Sequence, residues 1–190
     1  LSGQGFKRDK TGRFVRKLET RSVFIDSLTE HPTAATGTVG VDGVPAGIFP
    51  GVGRALATRR KIAVEGKDLF GATQRSEVPM SGIGPLLVLK LNAFAGRQQA
   101  KDAYDVLLCV SRYVDGPDAA IAAFGVEGAA GNRGYVRAVE TLRRHFFEPS
   151  QSGPVRCAAF ALDGQPGIDD RALRERQIVE QLVTIGRALV

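Results

Sequence analysis

The stretch 86–110, LLVLKLNAFAGRQQAKDAYDVLLCV, constrains the fold more than any other part of the chain. Its apolar residues are too many to leave in water, and its few charges recur at helical intervals. Pro85 suits the first position of a helix, and 86–94 supplies strong helix formers. Gly96 to Gln99 should end or bend that helix, and a second should start near Asp102 and run to about Tyr113. Further helices are expected over 118–124, 134–147 and 169–189, with 148–153 and 164–167 as linkers.

The first part of the chain reads differently. Residues 13–17 and 22–29 predict two strands, the second rich in β-branched and aromatic residues, joined closely enough to pair antiparallel. His31-Pro32 ends the second strand. The glycine- and proline-rich segment 33–50 predicts loop with at most one short strand, 53–63 a helical turn, and 76–80 a short strand. The expected architecture is α+β, with a small mixed sheet packed against a helical layer. The β-rich part would be 1–85 and the helical part 86–190.

Charges within the central stretch form the pattern Lys90-x-x-Ala93-x-x-x-Arg97-x-x-x-Lys101-Asp102-x-x-Asp105. At roughly 100° per residue, Arg97 falls almost beneath Lys90, with Ala93 leaving the surface between them open. Two cations on one face of an apolar helix, close to two carboxylates, suit a polyphosphate. The same residues also fit a plain helix start, with Asp102 as N-cap and Lys90 and Arg97 on a solvated face. A lysine half-buried in so apolar a helix needs a counterion, and Asp102 or Asp105 is the candidate.

This pattern resembles the third motif of AbiEii-type nucleotidyltransferases, which belong to the polymerase-β-like nucleotidyltransferase superfamily and include toxins that modify tRNA. The likeness extends upstream to Gly5-Phe6-Lys7-Arg8, to Gly12-Arg13-Phe14-Val15-Arg16 and to Val23-Phe24-Ile25-Asp26-Ser27-Leu28. There Asp26 matches the family's third carboxylate. The resemblance implies a nucleotidyltransferase-like fold, Mg2+ (or Mn2+) as cofactor, and transfer of a nucleotidyl group from a nucleoside triphosphate to an acceptor, tRNA or another RNA. It implies that Asp26 holds metal, that Lys90 contacts the triphosphate and Arg97 supports it, and that Asp102 and Asp105 orient these cations. Lys101 would add to the substrate-binding face. An antitoxin protein is a further implied partner. The family's first motif, an Asp-x-Asp strand, is expected N-terminal to Gly5 and is not present in the sequence, which starts at Leu1 rather than Met. The alternative is a degenerate fold acting as a non-catalytic RNA- or protein-binding module. Taken without the resemblance, Asp26 reads as a charge that shields a sheet edge.

Composition narrows the remaining classes. A surplus of 26 basic over 20 acidic side chains favours polyanionic partners, although a solvated basic surface explains it as well. Cys109 and Cys157 both sit among apolar neighbours and read as buried thiols, and with only two histidines a structural zinc site is not expected. No apolar run reaches the roughly 18 residues that a membrane span needs, and no secretory leader is recognised, so a soluble, cytoplasmic protein is expected. Arg54, Arg59, Arg60 and Lys61 form a basic cluster suited to phosphate or RNA backbone. His145 has no evident partner for acid–base work, and Ser111, Ser150 and Ser152 no serine-hydrolase arrangement.

Overall fold

The structure, a computed structural model, describes residues 2–9, 12–68, 70–164 and 170–190. It is an α+β protein whose contacts divide it into two compact units, Leu1–Gly53 and Arg54–Val190.

The first unit holds two small sheets. Strands β1 (Lys7–Arg8), β2 (Phe14–Lys17) and β3 (Ser22–Ile25) form an antiparallel meander, with Val15 opposite Phe24 and Phe14 opposite Ile25. The expected hairpin is therefore present, but its second strand stops at Ile25. Leu28 and Thr29 form β4 (Leu28–Thr29), which belongs to another sheet. There β4 runs parallel to β6 (Val44–Ile48), and β5 (Thr38–Val41) runs antiparallel to it. The segment read as loop is thus a second hairpin. Its turn is Asp42-Gly43, both at positive φ (49° and 72°), as a tight turn matched to strand twist requires. The helical turn expected near residue 53 is α1 (Val52–Ala57), which spans the unit boundary. Within the first unit the Glu30 carboxylate accepts hydrogen bonds from the Gly51 and Gly53 amides (2.8 and 3.2 Å), satisfying donors at the start of that helix.

The second unit opens with a long two-stranded ribbon, β7 (Arg60–Lys67) and β8 (Thr73–Met80). Only the end of this hairpin was legible as a strand, and its first strand overlaps the stretch read as a helical turn. Among the described residues the sheet expected to be single is three separate small sheets. The boundary drawn at residue 85 lies just past this ribbon, whereas the compact units separate between Gly53 and Arg54.

Among the described residues six helices follow: α2 (Ile83–Arg97), α3 (Ala100–Ser111), α4 (Pro117–Ala129), α5 (Tyr135–His145), α6 (Ser152–Ala161) and α7 (Arg171–Ala188). Helix α6 was not foreseen. Its first residues overlap the linker expected over 148–153, and Pro154 sits in its first turn, where a missing amide hydrogen costs nothing. The expected start of the last helix at Asp169, most of the 164–167 linker, and Lys10 lie outside the described residues. Helix α2 is the hub, packing against α3, α4 and α5, while α3 and α7 both pack on α6. Leu87, Leu91 and Phe94 of α2, Val106 and Val110 of α3, Phe124, Leu142, Phe146 and Leu182 are wholly buried around it. Each such side chain contributes on the order of 1.5–3 kcal/mol. Cys157 is sealed in this core, where burial pushes its thiol pKa up to about 12, whereas Cys109 is only half-buried. Among the described residues no helix is long and apolar enough to cross a membrane.

Close packing of α2 on α4 rests on Gly84, where an added Cβ would run into the Ala123 carbonyl of α4. Gly84→Ala should therefore overpack this contact and lower stability by about 1–3 kcal/mol, read from the urea midpoint. Gly96→Ala, at a helical site with open space, should cost nothing or stabilise slightly.

Candidate functional site

Two helices joined by Gln98 and Gln99 carry the charges that the sequence singled out. Helix α2 ends at Arg97 because Gln98 turns left-handed (φ 47°), and Gln99 then caps α3. Asp102 is thus the third residue of α3 and not its N-cap, as one reading of the sequence had it. The reversal brings the last turn of α2 against the first turn of α3, a cation at a helix C-terminus against a carboxylate near an N-terminus.

That opposition forms a fork. Arg97 donates from Nε and Nη2 to the two oxygens of Asp102, both at 2.7 Å. The Asp102 side chain is only 1% exposed while Arg97 remains half in solvent (55%). A buried carboxylate is tolerable only when both oxygens are engaged, and the planar guanidinium provides that.

One turn further along, Lys90 Nζ donates to Asp105 Oδ2 at 2.6 Å, so the counterion required by a half-buried lysine is Asp105. Lys101, one turn before Asp105 on the same helix, also donates to this carboxylate (2.8 and 3.2 Å). Asp105 is therefore shared by two ammonium groups. Burial by itself would raise its pKa, but the hydrogen bonds from Lys101 and Lys90, with their charges, outweigh burial and hold it below the usual carboxylate value. Along this seam Arg97 faces Asp102 while Lys90 and Lys101 both face Asp105, and Lys101 is 62% exposed.

Asp26 lies in the first unit, immediately after β3 and not within a strand as the sequence suggested. Its side chain is mostly exposed (60%), and its ion-pair neighbour is Arg13, at 4.0 Å. Arg13 also pairs with Asp9 (3.2 Å) and stacks on the Phe24 ring at 4.8 Å. Among the described residues no group of three or more His, Cys, Asp or Glu side chains could hold a metal ion, and a cation faces Asp26. The described residues thus do not assemble the donor set expected for Mg2+ or Mn2+.

The basic cluster after Gly53 does not converge on one spot. Arg54 forks onto Glu127 of α4 (3.0 and 3.1 Å), Lys61 pairs with Glu77, and Arg59 donates to the Leu56 carbonyl. The Glu127 side chain is 3% exposed and also accepts from Asn132 Nδ2 at 2.9 Å. Beside this fork lies an open groove of about 430 Å³ between the root of the ribbon and α4. A lone glutamate within the apolar run AAIAAFGVEGAA is the local signal of this network.

His145 and Ser152 correct the reading that left each without a partner, since Nδ1 and Oγ are 2.9 Å apart. The contact ties the end of α5 to the first residue of α6, and the ring meets Phe94 edge-on at 5.7 Å. Burial, and then the charge of Arg144, lower the pKa of His145.

No family model, curated protein or solved structure matches the chain.

The depressed pKa of Asp105 fixes the sign of an acid effect. Its contribution to stability is complete above the unfolded value near ~4 and is lost as pH falls through the lower folded value. Urea midpoints measured from about pH 7 to about pH 3 should show Asp105→Asn destabilised by about 2 kcal/mol at neutral pH. The gap to the parent chain should close at the acid end. A gap that stayed constant would show that Asp105 does not act through its charge.

Proposed function

We propose that this chain is the phosphate-binding part of a nucleotidyl-transferring protein, and that the α2–α3 seam receives the phosphates of a nucleoside triphosphate. The observation that carries this reading is the sharing of Asp105 by Lys90 and Lys101. A carboxylate between two ammonium groups leaves positive charge that a polyanion can complete, at a place where one lysine is in solvent and the other is fixed. Arg97 is held by Asp102 at the neighbouring turn, with its side chain 55% exposed. The seam uses the residues that resemble an AbiEii-type motif, and this likeness supports an RNA acceptor, tRNA foremost.

Each residue has a distinct task. Lys101 meets the incoming phosphate, Lys90 supplies a charge whose position does not depend on the ligand, and Asp105 sets the spacing of the two ammonium groups. Asp102 holds Arg97 in one plane, so that little side-chain entropy is lost on binding. Metal ions supply the electrophilic help in known transfers of this class, but the described residues do not build their site.

Isothermal titration with the four nucleoside triphosphates, with and without Mg2+, tests the proposal. At least one should bind, and Lys101→Ala should weaken it by about tenfold, or ~1.4 kcal/mol. The variant should keep its fold, since an exposed ion pair contributes little. Lys61→Ala, on the ribbon, should bind as the parent does. Absence of binding by all four, or equal affinity in Lys101→Ala, would refute the assignment.

A further inference from the structure

Every residue of β7 and β8 is exposed, although the ribbon is eight residues long on each side. Two-stranded ribbons are marginal in water unless something covers them. One face presents Ile62, Val64, Val78 and Met80, all between 39% and 45% exposed, and the other carries Lys61, Glu65, Arg75 and Glu77.

The backbone parity of the ribbon is fixed at its tip. The Asp68 amide donates to the Ala72 carbonyl at 2.9 Å, so even-numbered residues turn their backbone groups toward the partner strand and odd-numbered residues turn theirs outward. Pro79, which has no N–H, is odd-numbered, as an unbroken ladder demands. The outer edge of β8 therefore offers the backbone groups of Thr73, Arg75, Glu77 and Pro79. That of β7 offers Lys61, Ala63, Glu65 and Lys67. Among the described residues neither edge pairs with a third strand.

The two edges differ in how each would meet a copy of itself. In an antiparallel two-fold pairing, residues equidistant from the axis face one another. An axis at Val64, near the middle of β7, would set Lys61 against Lys67, a like-charge pair, and an axis at Gly66 would pair Glu65 with Lys67 but leave Lys61 and Ala63 facing positions past the end of the strand at Lys67. An axis at Ser76 of β8 sets Arg75 against Glu77 of the copy, and Glu77 against its Arg75. Each Arg75–Glu77 pair exchanges both backbone hydrogen bonds, and each Thr73–Pro79 pair exchanges one. Glu77 already meets Lys61 at 3.2 Å, so the junction becomes a row of alternating charge.

We propose that β8 pairs with β8 of a second copy of this chain about a two-fold axis at Ser76. The two ribbons then form one continuous antiparallel sheet whose apolar stripes join on a single face. The recognition is charge complementarity along an open strand edge, and it is independent of phosphate binding at the α2–α3 seam.

Sedimentation equilibrium across a concentration series reads the association directly. The chain should dimerise, and in a Lys61→Ala, Glu65→Ala background, which removes the neighbours of Glu77 and Arg75 within the ribbon, Arg75→Glu or Glu77→Arg alone should weaken the dimer by at least about tenfold. Combining the two reversals should restore it, because opposite charges face each other again. Register is read separately. Cα atoms of facing residues outside the hydrogen-bonded pairs lie about 4.5 Å apart, within disulfide range, so Ser76→Cys should cross-link to its copy under mild oxidation. Gln74→Cys should not exceed the parent chain. A monomer at all concentrations, a dimer indifferent to the single reversals, or a folded double variant that stays monomeric would each overturn the proposal.

Discussion

The buried Asp102 carboxylate is the constraint on which the helical unit turns. Nothing apolar can satisfy it, so α3 is held where Arg97 can reach it, and Arg97 is the last residue of α2. That single fork sets the reversal between the two helices, and the reversal places Lys90 over Asp105 one turn away. The apolar side of the same two helices then finds α4, α5 and α6 already in register for packing. Charge pairing fixes the alignment of the hairpin, and burial of Leu87, Leu91, Phe94, Val106 and Val110 supplies most of its stability.

What could be read from the amino-acid order follows from the range of the forces involved. Helices α2 and α3 were legible because their signals are local: a proline near the start, apolar spacing of three and four, and glycine with two glutamines at the break. The partner of Lys90 was narrowed to two carboxylates because a lysine in an apolar helix must be neutralised nearby. Choosing Asp105 over Asp102 required the angle of the reversal, which the sequence does not encode in any short pattern.

Elsewhere the decisive contacts are long-range or go against the pattern. The strand containing Asp26 looked continuous through Thr29, yet it breaks because Leu28 and Thr29 find better backbone partners in β6. The ribbon of β7 and β8 was hard to see because it buries no residue and its apolar positions are diluted by lysine, arginine and glutamate. Asp42-Gly43 was a local turn signal that the glycine-rich surroundings masked. Arg54 reached its partner across 73 residues, a separation at which spacing carries no information.

That last contact has a bearing on how the protein treats charged molecules in general. Glu127 is closed off from water and satisfied by one guanidinium and one amide. An anion that competed for Arg54 would strand a negative charge inside the protein, at a cost well beyond what a surface contact returns. A surplus of arginine and lysine is thus not the same as general stickiness toward acidic molecules. Part of the surplus is committed inward, which keeps the groove beside α4 a poor trap for stray polyanions.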